Sequence, residues 1–97
     1  MNVITRRRLN EFAAAHADAA EPLDNWYRVA RKAKWQSLNE VQDTYPHADL
    51  VGSCTVFNIG GKKYRLIVKI VYRAQAIYVK HVLTHAEYNT ERWKNDC

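Results

Sequence analysis

Between Asp49 and Glu87 the chain carries six basic side chains, Lys62, Lys63, Arg65, Lys69, Arg73 and Lys80, and no carboxylate. His85 and Tyr88 follow closely. Arginine clamps a phosphate through two parallel hydrogen bonds, lysine acts as a point charge, and histidine exchanges protons near neutral pH. Such a set is sufficient for one demanding reaction on RNA, which brings its own nucleophile. A base removes the proton of a 2′-hydroxyl, cations hold the charge that develops on the adjacent phosphodiester, and an acid protonates the leaving 5′-oxygen. The same residues are also sufficient to bind RNA or DNA without cutting it, and that non-catalytic module is the alternative reading.

Other chemistries find little support. With no carboxylate across this stretch, neither a catalytic carboxylate pair nor a magnesium cage can be built there. Gly60-Gly61-Lys62-Lys63 lies between two strand-like runs rather than ahead of a helix, so it reads as a hairpin turn and not as a phosphate loop. Ser37 and Ser53 occupy no nucleophile elbow. Cys54 and Cys97 are far apart and lack any Cys-x-x-Cys or Cys/His ligand spacing, so neither a structural zinc nor a disulfide framework is expected. A reducing cytoplasm fits this cysteine usage. Arg6, Arg7 and Arg8 are followed by Leu-Asn-Glu-Phe-Ala rather than an apolar core, and no apolar run approaches about 18 residues, so neither export nor membrane insertion is expected.

The elements that must position these residues follow from periodicity. From Lys63 the odd positions run Lys63, Arg65, Ile67, Lys69, Val71 and Arg73, and the even ones Tyr64, Leu66, Val68, Ile70 and Tyr72. Period two separates a basic face from an apolar one, which predicts a strand inside a three-stranded antiparallel meander over residues 56–85. A two-residue loop at Ala74-Gln75 would set Lys69 opposite Lys80 and Arg65 opposite Thr84. Like charges directly opposed cost stability, a cost that suits a surface made for a polyanion. Upstream, Val3-Ile4 reads as a short strand, Thr5 as the N-cap of a helix to about Ala15, and Pro22 as the first position of a second helix carrying Leu23, Trp26, Tyr27 and Ala30. Ser37 and Glu40 have capping-box spacing ahead of a short third helix that ends before Pro46. Residues 47–53 connect to the sheet, with Gly52 at a turn, and a polar tail begins at about residue 91. Helices first and strands afterwards predict one α+β domain over residues 1–97, its N-terminal helices packed on one face of a small antiparallel sheet. Residues 1–53 hold seven Lys/Arg and seven Asp/Glu, against eight and three in residues 54–97, so the net charge of +5 lies in the strand-rich half. Such a field favours phosphate-rich partners.

Three separated motifs carry a resemblance: Val56-Phe57-Asn58-Ile59, Lys63-Tyr64-Arg65-Leu66-Ile67-Val68 and Thr84-His85-Ala86-Glu87-Tyr88. With Trp26-Tyr27, Lys34-Trp35 and the run from Tyr45 to Gly52, they make the chain similar to the HigB family of bacterial toxins, from Val3 to about Thr90. The resemblance implies a RelE-like fold and a messenger-RNA endonuclease that usually works on translating ribosomes; the 2′-hydroxyl chemistry set out above needs no metal or cofactor. The resemblance also implies a cognate antitoxin as partner, a helix-turn-helix protein from an adjacent gene, with operator DNA reached only through the antitoxin complex. One departure is Asn89, where similar sequences often continue Glu-Tyr with Asp.

Arg65, His85, Lys80 and Tyr88 form the expected catalytic set. Arg65 is the phosphate clamp, mid-strand on the basic face with its side chain towards solvent. Lys62, Lys63, Lys69, Arg73 and the triplet Arg6, Arg7 and Arg8 are the expected RNA contacts, although the triplet reads first as a solvated basic turn. Strict alternation from Ile77 puts His85 with Val79, His81 and Leu83 on the apolar side; it reaches the basic face only if the strand ends or bulges near Thr84. His81 reads as a core histidine. Tyr88 reads either as a base-stacking or proton-sharing group or as a plug under the sheet, and Trp93 is left unassigned.

Overall fold

The computed structural model describes every residue from Met1 to Cys97. Strand β1 (Asn2–Ile4) leads into helix α1 (Arg6–Ala15), a 3-10 turn (Ala17–Ala19), α2 (Ala20–Lys32) and α3 (Leu38–Thr44). The remaining strands follow in one run: β2 (Asp49–Val51), β3 (Cys54–Ile59), β4 (Tyr64–Val71) and β5 (Ala76–Thr84). The short α4 (His85–Asn89) and a 3-10 helix (Arg92–Asp96) come last. The sheet order is β1-β5-β4-β3-β2. The predicted meander is its centre, and residues 49–51 of the predicted connector add an antiparallel edge strand. On the other edge β1 runs parallel to β5.

The α+β class and the helix-on-sheet packing agree with the sequence. Leu23, Trp26 and Ala30 recur on one stripe of α2 and are buried with Leu9 of α1 and Val41 of α3 against Phe57, Ile59, Leu66, Val68, Ile77 and Val79. The caps differ in detail. Thr5 sits in left-handed backbone (φ 71) and makes no side-chain cap bond, whereas the Ser37 side chain accepts from the Glu40 amide, one half of the expected capping box. Pro22 is the third residue of α2 rather than the first, still inside the opening turn where a missing N–H costs nothing.

The β4–β5 hairpin departs from the predicted register, for two physical reasons. Its turn is longer than Ala74-Gln75: Tyr72–Ala74 form a 3-10 turn and Gln75 follows in left-handed backbone (φ 52). The Gln75 side-chain amide donates to the carbonyls of Trp35 (2.7 Å) and Tyr72 (2.9 Å), which fixes this longer turn. Further along, Val68 pairs Val79 but Ile67 pairs His81, so Lys80 is the extra residue of a β-bulge. Lys69 therefore faces Tyr78 rather than Lys80, and Arg65 faces Leu83 rather than Thr84. A bulge leaves backbone groups outside the ladder, and here Arg8 Nη1 donates to the Lys80 carbonyl at 2.6 Å. That bond accounts for one arginine in a helix turn where the dipole disfavours cations.

Beyond the bulge the side-chain phase of β5 reverses. Ile77 and Val79 face the helices, Val82 packs on the same core, and Leu83 joins a second apolar cluster on the opposite face. That cluster contains Cys54, Val56, Ile67 and Trp93. The predicted polar tail is therefore a packed element, since Trp93 is 4% exposed and closes the back of the sheet. The expected absence of a disulfide is likewise corrected: Cys54 and Cys97 are bonded, because the tail folds back across β3 and brings together residues 43 positions apart. Ser53 donates to the Cys97 carbonyl through its amide (2.8 Å) and its hydroxyl (2.9 Å). Gly52 (φ +59) permits this approach, for a Cβ there would lie 2.5 Å from the same carbonyl oxygen.

On the helix side, Asp18 receives an ion pair from Lys63 and a hydrogen bond from the Tyr64 hydroxyl (2.6 Å). The Lys63 bond, followed by that of Tyr64, holds the Asp18 carboxyl below its ordinary 3.8 and raises the pKa of both partners. A depressed carboxylate stabilises the fold above its unfolded pKa, and that contribution is lost as pH falls through the folded value. Asp18→Asn is therefore expected to lower the urea midpoint at pH 7, with the gap to wild type closing as pH is taken below 3.8. Denaturation across that range checks this; a gap independent of pH would contradict it.

Candidate functional site

The site forms where β5 gives way to α4, on the face of the sheet away from the main helices. Thr84 and Glu87 close a full capping box: Thr84 Oγ1 accepts from the Glu87 amide (3.3 Å) and Glu87 Oε1 accepts from the Thr84 amide (2.9 Å). Their spacing, Thr-x-x-Glu, is legible in the sequence. The cap ends the strand at Thr84 and leaves His85 exposed as the first residue of α4. The strand end at Thr84 that lets His85 leave the apolar side is thus present, and the bulge lies four residues earlier, at Lys80.

Tyr88, one turn along α4, stacks on Trp93 with ring centroids 5.1 Å apart. The indole N–H donates to the Tyr88 carbonyl at 2.9 Å, fixing the pair in orientation. The Arg65 guanidinium lies 5.0 Å from the centre of the Tyr88 ring. Its Nη1 donates to the carbonyls of Lys62 (2.6 Å) and Tyr64 (3.3 Å). The expectation that Arg65 points freely to solvent is corrected: the residue is 9% exposed, because the Tyr88–Trp93 pair folds over this part of the face. No carboxylate reaches it, since the ion pairs of the protein involve Arg7, Arg28, Lys63, His81 and Lys94. Arg65 is thus a nearly buried cation held by neutral groups.

The other predicted residues divide by location. Lys62 is exposed on the turn that offers its carbonyl to Arg65. Lys80 is half-buried at the bulge, three residues before Leu83, the partner of Arg65 across the hairpin. Lys69 is exposed on β4, roughly 13 Å along the strand from Arg65, and Arg73 lies beyond the end of β4 in the far turn. Lys63 is paired with Asp18. Nor do the three arginines of α1 form one patch: Arg6 stacks over Tyr27 at 4.0 Å, Arg7 pairs with Glu11 at 3.3 Å, and Arg8 holds the bulge. The single open basic face of the sequence reading is therefore divided, with Ile67 at its centre buried under Trp93.

The bulge also moves a residue into view. His81, read as a core histidine, is 28% exposed in its side chain, and its Nε2 lies 2.6 Å from Asp96 Oδ2. With Leu83, Glu87, Thr90, Arg92 and Trp93 it lines an open cleft of about 290 Å³ beside α4. Nothing in the strand pattern signals this, because the phase change lies in one extra residue and the carboxylate comes from the tail.

The mixed sheet, antiparallel except at its β1 edge and backed by N-terminal helices, is an α+β arrangement consistent with a RelE-like toxin fold. The family described as HigB_toxin, the RelE-like toxic component of a toxin-antitoxin system, matches residues 19–91. The chain belongs to that family. It is also 27% identical over 92 residues to the mRNA interferase HigB of Escherichia coli O6:H1, covering 92% of this chain and 89% of that protein. The mRNA interferase toxin HigB of Escherichia coli K12 is 27% identical over 92% of this chain and 88% of its own length.

The burial of Arg65 has a consequence for stability. Arg65→Ala removes the donor to two carbonyls and is expected to destabilise by about 1–3 kcal/mol. Urea titration measures this, and a wild-type midpoint would show the guanidinium contributes nothing to the fold.

Proposed function

We propose that this protein is an endoribonuclease that cleaves messenger RNA by attack of the RNA's own 2′-hydroxyl, and that a cognate antitoxin from an adjacent gene restrains it. The observation that carries this reading is Arg65, a guanidinium 9% exposed with no carboxylate partner. A desolvated cation without a counter-ion favours an anion, and a phosphodiester gains charge as it passes to a pentacoordinate state. The names of the curated relatives, mRNA interferases, support the same substrate.

In this reading the 2′-oxygen bonds to phosphorus while the bond from phosphorus to the 5′-oxygen breaks, leaving a 2′,3′-cyclic phosphate and a 5′-hydroxyl. Arg65 holds the non-bridging oxygens through the nitrogens not spent on carbonyls. His85, exposed at the start of α4, is the proton carrier, taking the 2′-hydroxyl proton or delivering one to the 5′-oxygen. Tyr88 shares that role or supports a base by stacking. Lys80, Lys62 and Lys69 steer the RNA backbone, and each phosphate they neutralise makes binding salt-sensitive. Lys63 joins them only by leaving Asp18, while Arg73, Arg6, Arg7 and Arg8 contact RNA at a distance from the cut, on the ribosome or outside it. No metal or cofactor enters the reaction, the site of action is the translating ribosome of the cytoplasm, and operator DNA is met only through the antitoxin.

Expression of the chain without its neighbour is expected to arrest growth and to produce new 5′ ends within translated regions. Primer extension on a translated message reads this, and an unchanged pattern with normal growth would leave a non-catalytic RNA- or DNA-binding module. His85→Gln is expected to keep the wild-type melting temperature, because the ring is exposed, and to lose about 10²- to 10⁴-fold in single-turnover cleavage. A fully active variant would move the proton carrier elsewhere.

A further inference from the structure

We propose that the Cys54–Cys97 disulfide is a redox latch on the anion site, holding Tyr88 over Arg65 when closed and exposing the guanidinium when reduced. The inference rests on the proposed role of Arg65, and it adds a means of regulating that site.

A continuous set of contacts joins the two. The disulfide and the two bonds from Ser53 to the Cys97 carbonyl fasten the tail to the start of β3. Between these anchors and α4, Trp93 packs on Cys54, Val56 and Ile67. The same indole stacks on Tyr88 and donates to its carbonyl, and Tyr88 covers Arg65. Without the covalent tie, a tail of one short 3-10 helix is held by the Trp93 side chain, the two bonds from Ser53 to the Cys97 carbonyl and the pair of Asp96 with His81. Such short segments open at low free energy. The covering also has a cost for function: an arginine 9% exposed beneath an aromatic ring offers a phosphate a narrow approach.

The reductant is a dithiol. Cys54 is fully buried and Cys97 half-exposed, so the entering thiolate attacks Cys97 Sγ. The bond between the two sulfurs breaks, and Cys54 leaves and is protonated. The second thiol of the reductant then attacks the mixed disulfide and releases Cys97. Two electrons and two protons pass to the cysteines, and the dithiol becomes a disulfide.

The test uses the full chain and a short 2′-O-methylated single-stranded RNA, which presents phosphates and bases but no attacking hydroxyl. Its affinity is measured for the air-oxidised protein, the protein reduced with dithiothreitol, and Cys97→Ser, with thiol titration confirming each state. Reduction and Cys97→Ser are both expected to tighten binding by about tenfold, equivalent to one recovered charge-assisted hydrogen bond. In Arg65→Ala the difference between oxidised and reduced protein is expected to vanish. Equal affinities in both states, weaker binding on reduction, a redox difference that survives Arg65→Ala, or two free thiols in the oxidised preparation would each overturn the latch. Because the probe cannot be cut, these outcomes are independent of whether the protein is a nuclease.

Discussion

The arrangement of the site depends on one extra residue in β5. Lys80 interrupts the pairing with β4, and Arg8 takes up the carbonyl that the bulge frees. Without it, His81 and Leu83 would continue the phase of Ile77 and Val79 into the helix-side core. With it, Leu83 turns to the opposite face, where Trp93 seals a second apolar layer. The sheet is thereby clad on both sides near its centre, although the helices account for only one side. This double cladding brings α4 and the tail over Arg65.

Electrostatics give that position its character. Four other cations sit beside carboxylates: Lys63 has Asp18, Arg7 has Glu11, Arg28 has Asp24 and Lys94 has Glu91. Arg65 is the most enclosed of its cations, and its contacts are two carbonyls and an aromatic face. Neutral partners orient the guanidinium and leave its charge uncompensated, which suits a group that meets a phosphate whose charge grows during reaction. Tyr88 serves both needs, since its ring tolerates the cation and its place on α4 ties that cation to the element that begins with His85.

What the sequence disclosed, and what it hid, follows from the range of each interaction. Period-two alternation fails at Lys63, which precedes the strand and turns to Asp18 on the helix side, but it separates the two faces of β4 from Tyr64 to Ile70, because alternation is a property of the local backbone. The stripe of Leu23, Trp26 and Ala30 located the core face of α2 for the same reason. Ser37 and Glu40 mark the start of α3 in the sequence, and Thr84 and Glu87 carry the same signal for α4. Contacts set by the tail were hidden: the disulfide, the burial of Trp93, the covering of Arg65 and the carboxylate beside His81. Each joins residues distant in sequence, and a tail rich in charge, with one tryptophan, gives no periodic signal. The bulge at Lys80 was equally silent, because one added residue leaves composition unchanged while reversing every side chain after it.

The chemistry of the cut ends tests the account most directly. Mass spectrometry of transcript fragments made by the purified protein on programmed ribosomes reads which oxygen attacked phosphorus. Attack by the 2′-hydroxyl at a site of organic cations predicts 2′,3′-cyclic phosphate and 5′-hydroxyl ends. Ends bearing a 5′-phosphate and a free 3′-hydroxyl would contradict it.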